Sequence, residues 1–88
     1  MESYRVLLKK TVYKDLRNIN PMYVQRIIDR IRELSANPFP RDSEKLTGSE
    51  NFYRLRVGDY RVVYQVDNKN KTVIVYYVRH RKTAYKSM

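Results

Sequence analysis

Cysteine is absent from this chain of 88 residues, and histidine occurs once, as His80. The first absence excludes a disulfide framework and a thiolate nucleophile. The two together exclude a zinc finger, a zinc hydrolase centre and any two-histidine ribonuclease mechanism. Glycine is nearly as scarce: Gly48 and Gly58 are the whole supply, too few for a loop that cradles a nucleotide. No apolar run approaches the ~20 residues that span a bilayer. Met1-Glu2-Ser3-Tyr4 lacks the basic-then-apolar layout of a secretion signal, so the expectation is a cytoplasmic protein with no membrane partner. Acidic residues are in short supply too, 9 against 19 Lys and Arg, for a formal net charge of +10. None follows Asp67, whereas Lys69, Lys71, Arg79, Arg81, Lys82 and Lys86 do. A balance this basic points to nucleic acid, a ribosome or an acidic protein partner.

The periodicities predict one domain spanning residues 1–88. Tyr4, Val6 and Leu8 alternate with Ser3, Arg5 and Leu7, the pattern of a short strand with one buried face. From about Thr11, Val12, Leu16 and Ile19 are spaced as on a helix. Asn20-Pro21 then supplies an N-cap and a first helical residue. A second helix carries Val24, Ile27, Ile28, Ile31 and Leu34 on one face and ends at Asn37-Pro38-Phe39-Pro40. Residues 41–50 read as polar and irregular. Three strands follow, at 52–57, 60–67 and 72–80, with Gly58-Asp59 and the polar run 68–71 as turns. The expected fold is α+β in two layers: an N-terminal strand, a helical hairpin and a three-stranded antiparallel meander, with the helices on one sheet face. Strand parity assigns Leu55, Val57, Val62, Tyr64, Val66, Ile74, Tyr76 and Val78 to the helix side. It turns Arg54, Arg56, Arg61, Tyr77, Arg79 and Arg81 outward.

Arginines gathered on one open sheet face repel one another, an arrangement best explained by a polyanion that binds there. Metal chemistry has no evident ligand set, and no cofactor is expected. RNA, however, carries its own nucleophile in the 2′-hydroxyl, and holding it in line with the phosphate is a large part of the catalysis. Arginines can clamp the phosphate and stabilise the charge that builds on it. An acid must protonate the leaving 5′-oxygen, and Tyr85 and His80 are the candidates.

The run Tyr-Arg-Leu-Arg-Val-Gly-Asp-Tyr-Arg-Val-Val-Tyr at 53–64, followed by Val-Arg-His-Arg-Lys-Thr-Ala-Tyr at 78–85, resembles the RelE branch of the RelE/ParE toxin superfamily. Lys45-Leu46-Thr47-Gly48 fits that family's lead-in to the hairpin. The resemblance implies a toxin that enters the ribosomal A site and cuts mRNA by 2′-hydroxyl attack. It also implies an acidic, RelB-like antitoxin that wraps the toxin, with operator DNA met only through that antitoxin. By position, the family's two basic residues before the turn fall on Arg54 and Arg56, and its arginine after the turn on Arg61. Its late arginine falls on Arg81 and its C-terminal tyrosine on Tyr85, while Arg79, Lys82 and Lys86 add phosphate-binding charge. Other members carry lysines where this chain has Arg54 and Arg56, and arginine cannot act as a base. Tyr85, His80 or a ribosomal RNA group is then left to take the proton. Two alternatives stand beside this reading: a ParE-like inhibitor of DNA gyrase without nuclease activity, and a basic RNA- or ribosome-binding module without catalysis.

Overall fold

A computed structural model describes residues 3–82. The elements run β1 (Arg5–Leu8), α1 (Lys10–Arg17), α2 (Pro21–Glu33), β2 (Ser43–Lys45), β3 (Phe52–Val57), β4 (Tyr60–Asp67) and β5 (Thr72–His80). The α+β layering is as the sequence implies, and the strands of the meander have the expected bounds. Asn20 caps α2 through its side-chain oxygen, which accepts from the Met22 N–H at 3.0 Å, and Pro21 fills the first helical position. Gly58 has φ +59° at the first position of the two-residue β3–β4 turn, the backbone of a II′ hairpin.

Among the described residues the sheet has five strands in the order β1-β5-β4-β3-β2, and it is mixed: β1 lies parallel to β5, while the other pairs are antiparallel. Residues 41–50, expected to be irregular throughout, contribute the edge strand β2. Three residues are too few for a periodic signal, and their pairing with β3 is what makes them a strand. β1 covers only Thr72–Val75 of β5. Beyond that point the entry and first turns of α1 take over the open edge. The Lys9 N–H donates to the Val75 carbonyl at 2.9 Å, the Thr11 hydroxyl donates to the Tyr76 carbonyl, and the Val78 N–H donates to Asp15 Oδ2 at 2.9 Å. An edge that would otherwise template aggregation is thereby closed.

Val12, Ile27, Ile31 and Leu34 of the helical layer pack against Leu55, Val57, Val62, Tyr64, Val66 and Val78 of the sheet. Ile74 and Tyr76 do not join them, contrary to parity. An irregularity in the β4–β5 ladder lies at Val63/Tyr64, where Val63 opposes Tyr77 and Tyr64 opposes Val75. Tyr76 is the extra residue, and upstream of it the alternation is reversed. Val73 and Val75 are therefore the buried pair, whereas Ile74 and Tyr76 go to the other face.

Candidate nucleic-acid interface

The ladder registers stack three arginines from three strands into one row. Arg56 stands opposite Arg61, and Arg61 stands opposite Arg79. The neighbouring row is Glu44, Arg54, Val63 and Tyr77. Like charges directly opposite each other destabilise a sheet, so the row needs compensation. Arg61 receives it from the backbone: its Nη1 donates to the carbonyls of Gly58 and Tyr60, both at 2.9 Å. Only 6% of Arg61 is exposed, a burial that outward parity alone does not anticipate. Arg79 lies with its Nε 3.5 Å from Asp15 Oδ2 and its guanidinium 4.6 Å from the centre of the Tyr77 ring. Arg54 Nη2 donates to Glu44 Oε1 at 2.5 Å.

An open cleft of ≈ 530 Å³ lies over this face, walled by Arg41, Asp42, Ser43, Glu44, Arg54, Arg56 and Arg61. Its two carboxylates are each committed to an arginine. Arg30 of α2 donates to Asp42 through both terminal nitrogens, at 2.7 and 2.8 Å. These hydrogen bonds hold the Asp42 carboxyl below its usual range. The hydrogen bond from Arg54, and then the charges of Arg54, Arg56 and Arg61, do the same for Glu44. Both are thus anionic at neutral pH and weak proton acceptors.

The Arg30–Asp42 pair pins the 41–45 wall of the cleft to the helical layer. Asp42 is 41% exposed, so solvent screening leaves the pair worth about 1 kcal/mol. Asp42→Asn is expected to destabilise the fold by that amount at pH 7. The Asp42 carboxyl is lowered in the folded chain. Its contribution is therefore present above the ordinary value near ~3.9 and lost as pH falls through the lower, folded one. Urea melts at pH 7 and pH 3 check this: the gap between variant and wild type should shrink in acid.

Of the residues singled out by sequence, Arg54, Arg56 and Arg61 line the cleft and Arg79 extends the row toward α1. Arg81 sits at the hairpin tip, half-exposed, its N–H donating to the Asp59 carbonyl at 2.7 Å and its Nε 3.9 Å from Asp59 Oδ1. His80 is not brought to the arginines. It shares parity with Val78 on the helix side, its ring edge-on to Tyr60 at 5.6 Å in a hollow with Tyr23 and Arg26. The exposed Lys82 donates its N–H to His80 Nδ1 at 3.4 Å. Tyr85 and Lys86 lie outside the described residues. The sequence reading missed Arg41, Asp42, Ser43 and Glu44, which it took as part of the polar, irregular run 41–50.

A family model described as "ParE toxin of type II toxin-antitoxin system, parDE" matches residues 6–85. This chain belongs to the RelE/ParE toxin superfamily. Toxin RelE3 of Methanocaldococcus jannaschii is 37% identical over 86 residues, covering 92% of this toxin and 94% of that protein. A chain of the archaeal RelE–RelB complex from Pyrococcus horikoshii OT3 superposes with a TM-score of 0.79 at 35% identity, over 89% of this toxin and 94% of that chain. The toxin–antitoxin complex RelBE2 of Mycobacterium tuberculosis gives a TM-score of 0.79 at 27% identity, over 90% and 99% of the two chains. The arginine row of this toxin therefore sits on a frame shared by toxins whose solved structures include antitoxin complexes.

Proposed function

We propose that this toxin is a ribosome-dependent mRNA endonuclease that cleaves by attack of the substrate's own 2′-hydroxyl. The observation that carries the reading is the in-register row Arg56–Arg61–Arg79 beside a cleft of further arginines. Such a row fits a scissile phosphate and its neighbours better than any neutral ligand. In the reaction the 2′-oxygen bonds to phosphorus as the bond to the 5′-oxygen breaks, leaving a cyclic 2′,3′-phosphate and a 5′-hydroxyl. Arg61, pre-aimed by its two carbonyl contacts, stabilises the charge on the phosphoryl oxygens. Arg54 and Arg56 hold the strand. The proton of the 2′-hydroxyl goes to a base and the 5′-oxygen takes one from an acid. Tyr85 is the assigned acid, and the position of His80 away from the row argues against it in either role. A cytoplasmic setting and an acidic, RelB-like antitoxin complete the reading, the latter by analogy with the RelE–RelB complexes.

The test is to add purified toxin to translating ribosomes and map mRNA 5′ ends. Cuts within codons, little cutting of naked RNA, and suppression by Arg81→Ala and Tyr85→Phe are expected; intact mRNA overturns the proposal. The match to a family described as ParE toxins favours a second reading, inhibition of DNA gyrase. Loss of supercoiling at stoichiometric toxin with mRNA intact would put it first.

Arg56 is exposed and lines the cleft. Arg56→Ala is accordingly expected to leave the melting temperature nearly unchanged. It should flatten the dependence of log K on log salt for single-stranded RNA by about 0.7, the loss of one phosphate contact. Anisotropy titrations at several salt concentrations read this out.

A further inference from the structure

A second hollow of ≈ 540 Å³ adjoins the arginine cleft and shares two of its walls, Glu44 and Arg54. Its character is different. Leu46 and Phe52 give it apolar walls, and Lys45, Thr47 and Ser49 complete the lining. The loop that forms it is closed on itself. The Leu46 N–H donates to the Phe52 carbonyl at 2.9 Å, the Ser49 N–H to the Leu46 carbonyl at 3.2 Å, and the Phe52 N–H to Ser49 Oγ at 3.1 Å. Gly48 turns the chain with φ +80°. Phe52 is braced from the sheet side by Tyr76, ring centres 5.1 Å apart, and Tyr76 is itself held by its hydroxyl donating to Gln65 Oε1 at 3.1 Å. The aromatic wall is thus fixed before anything binds.

Resting on the RNA reading above, we propose that this hollow is a nucleobase site serving the same strand whose phosphates lie on the arginines. Phe52, Arg54 and Arg56 occupy alternate positions on one face of β3, so Phe52 stands about 7 Å from Arg54 along the strand. A nucleotide that spans the shared wall puts its phosphate on the arginine side and its base against Phe52. A flat ring with an apolar face and polar edges suits this lining: Phe52 and Leu46 meet the face, while Glu44, Thr47 and Ser49 meet the edge. Glu44 is held anionic by Arg54, which makes it an acceptor for an exocyclic amino group. The site would make the toxin's affinity depend on base identity next to the bound phosphate, which the arginine row alone cannot do.

The experiment uses the full chain and two tetranucleotide RNAs of equal phosphate count, one with all its bases and one abasic throughout. The wild type is expected to bind the base-bearing RNA about tenfold more tightly or better. Phe52→Leu, of similar volume, should remove most of that margin and leave abasic binding unchanged. Equal binding of the two RNAs by the wild type, or a parallel loss for both in the variant, overturns the proposal. A readout on the unaltered protein guards against a folding defect. RNA carrying 4-thiouridine should crosslink within the tryptic peptide 46–54, whereas crosslinks confined elsewhere point to a hollow that receives a protein side chain and overturn the assignment. Base-dependent binding without ribosomal cleavage would sink the nuclease reading alone; cleavage without base dependence would sink this one alone.

Discussion

Arg61→Ala is expected to lower ribosome-dependent cleavage by about two to three orders of magnitude, the usual cost of one preorganised donor to a developing anion. Arg61 is the middle member of the row, flanked in register by Arg56 and Arg79, and its guanidinium is tethered to the carbonyls of Gly58 and Tyr60. Two opposed effects decide its stability. Removing a donor from two part-buried carbonyls costs about 1–3 kcal/mol, while relief of repulsion from two neighbouring arginines returns part of it. A net destabilisation of about 1 kcal/mol is the expected balance. Arg61→Lys keeps the charge but cannot fork between carbonyls and phosphate, so it should melt close to wild type and still cleave at least tenfold more slowly. Single-turnover cleavage on programmed ribosomes, read beside urea melts of the same samples, separates the two roles. If both variants cut within threefold of wild type, Arg61 is a strut for the hairpin and the phosphate is held elsewhere.

Alkaline solution is expected to unfold the toxin through Tyr64. This side chain is fully buried in the helix-facing layer, where its hydroxyl donates to the Pro38 carbonyl at 2.7 Å and its ring stacks on Tyr53 at 5.8 Å. Burial pushes the phenol up to about 12. In the unfolded chain it ionises near ~10, so the stability it contributes is complete below that pH and is lost as pH rises from there through the folded value. Two pH units correspond to about 2–3 kcal/mol, a large fraction of the stability of a domain this size. Tyr64→Phe should cost about 1–2 kcal/mol at pH 7, because the Pro38 carbonyl loses its donor. The variant should then show a flatter loss above pH 10. The chain has nine tyrosines, so the comparison between variant and wild type carries the result, not the raw alkaline melt.

The two predictions draw on parts of the molecule that the sequence discloses unequally. The bounds of β3, β4 and β5 follow from alternation and from Gly58-Asp59, signals contained within a few residues. The start of α2 follows from Asn20-Pro21 in the same way. Pairings between distant segments are another matter. Nothing local makes β1 parallel to β5, because that pairing depends on a partner far along the chain. Ser43–Lys45 is a strand only through its pairing with nearby β3, three residues being too few to show a period. The bulge at Tyr76 reverses the faces of Val73 to Val75, and a strict period of two cannot foresee it. The shared face of Arg54, Arg56 and Arg61 was legible from parity. The depth of Arg61 was not, since it depends on turn carbonyls that become acceptors only when the hairpin is formed. Alternation from Val78 sends His80 to the helix side, but the sequence reading did not apply it to His80 and kept that residue as a candidate acid. The wall from Arg41 to Glu44 was hidden because Arg30, a helix residue, holds it in place.

The parallel pairing of β1 with β5 also bears on the order in which the molecule assembles. Bringing Arg5 beside Thr72 closes a loop of 67 positions (72 − 5), and the chain entropy this removes is about 4 kcal/mol. The two-residue link between β3 and β4 and the short run between β4 and β5 ask for far less. By that count the meander is the early unit and β1 the late one. Every member of the arginine row lies on the meander. The face proposed to meet RNA is therefore built from neighbours in sequence, and the strand that joins the two halves of the chain serves to steady a face already drawn.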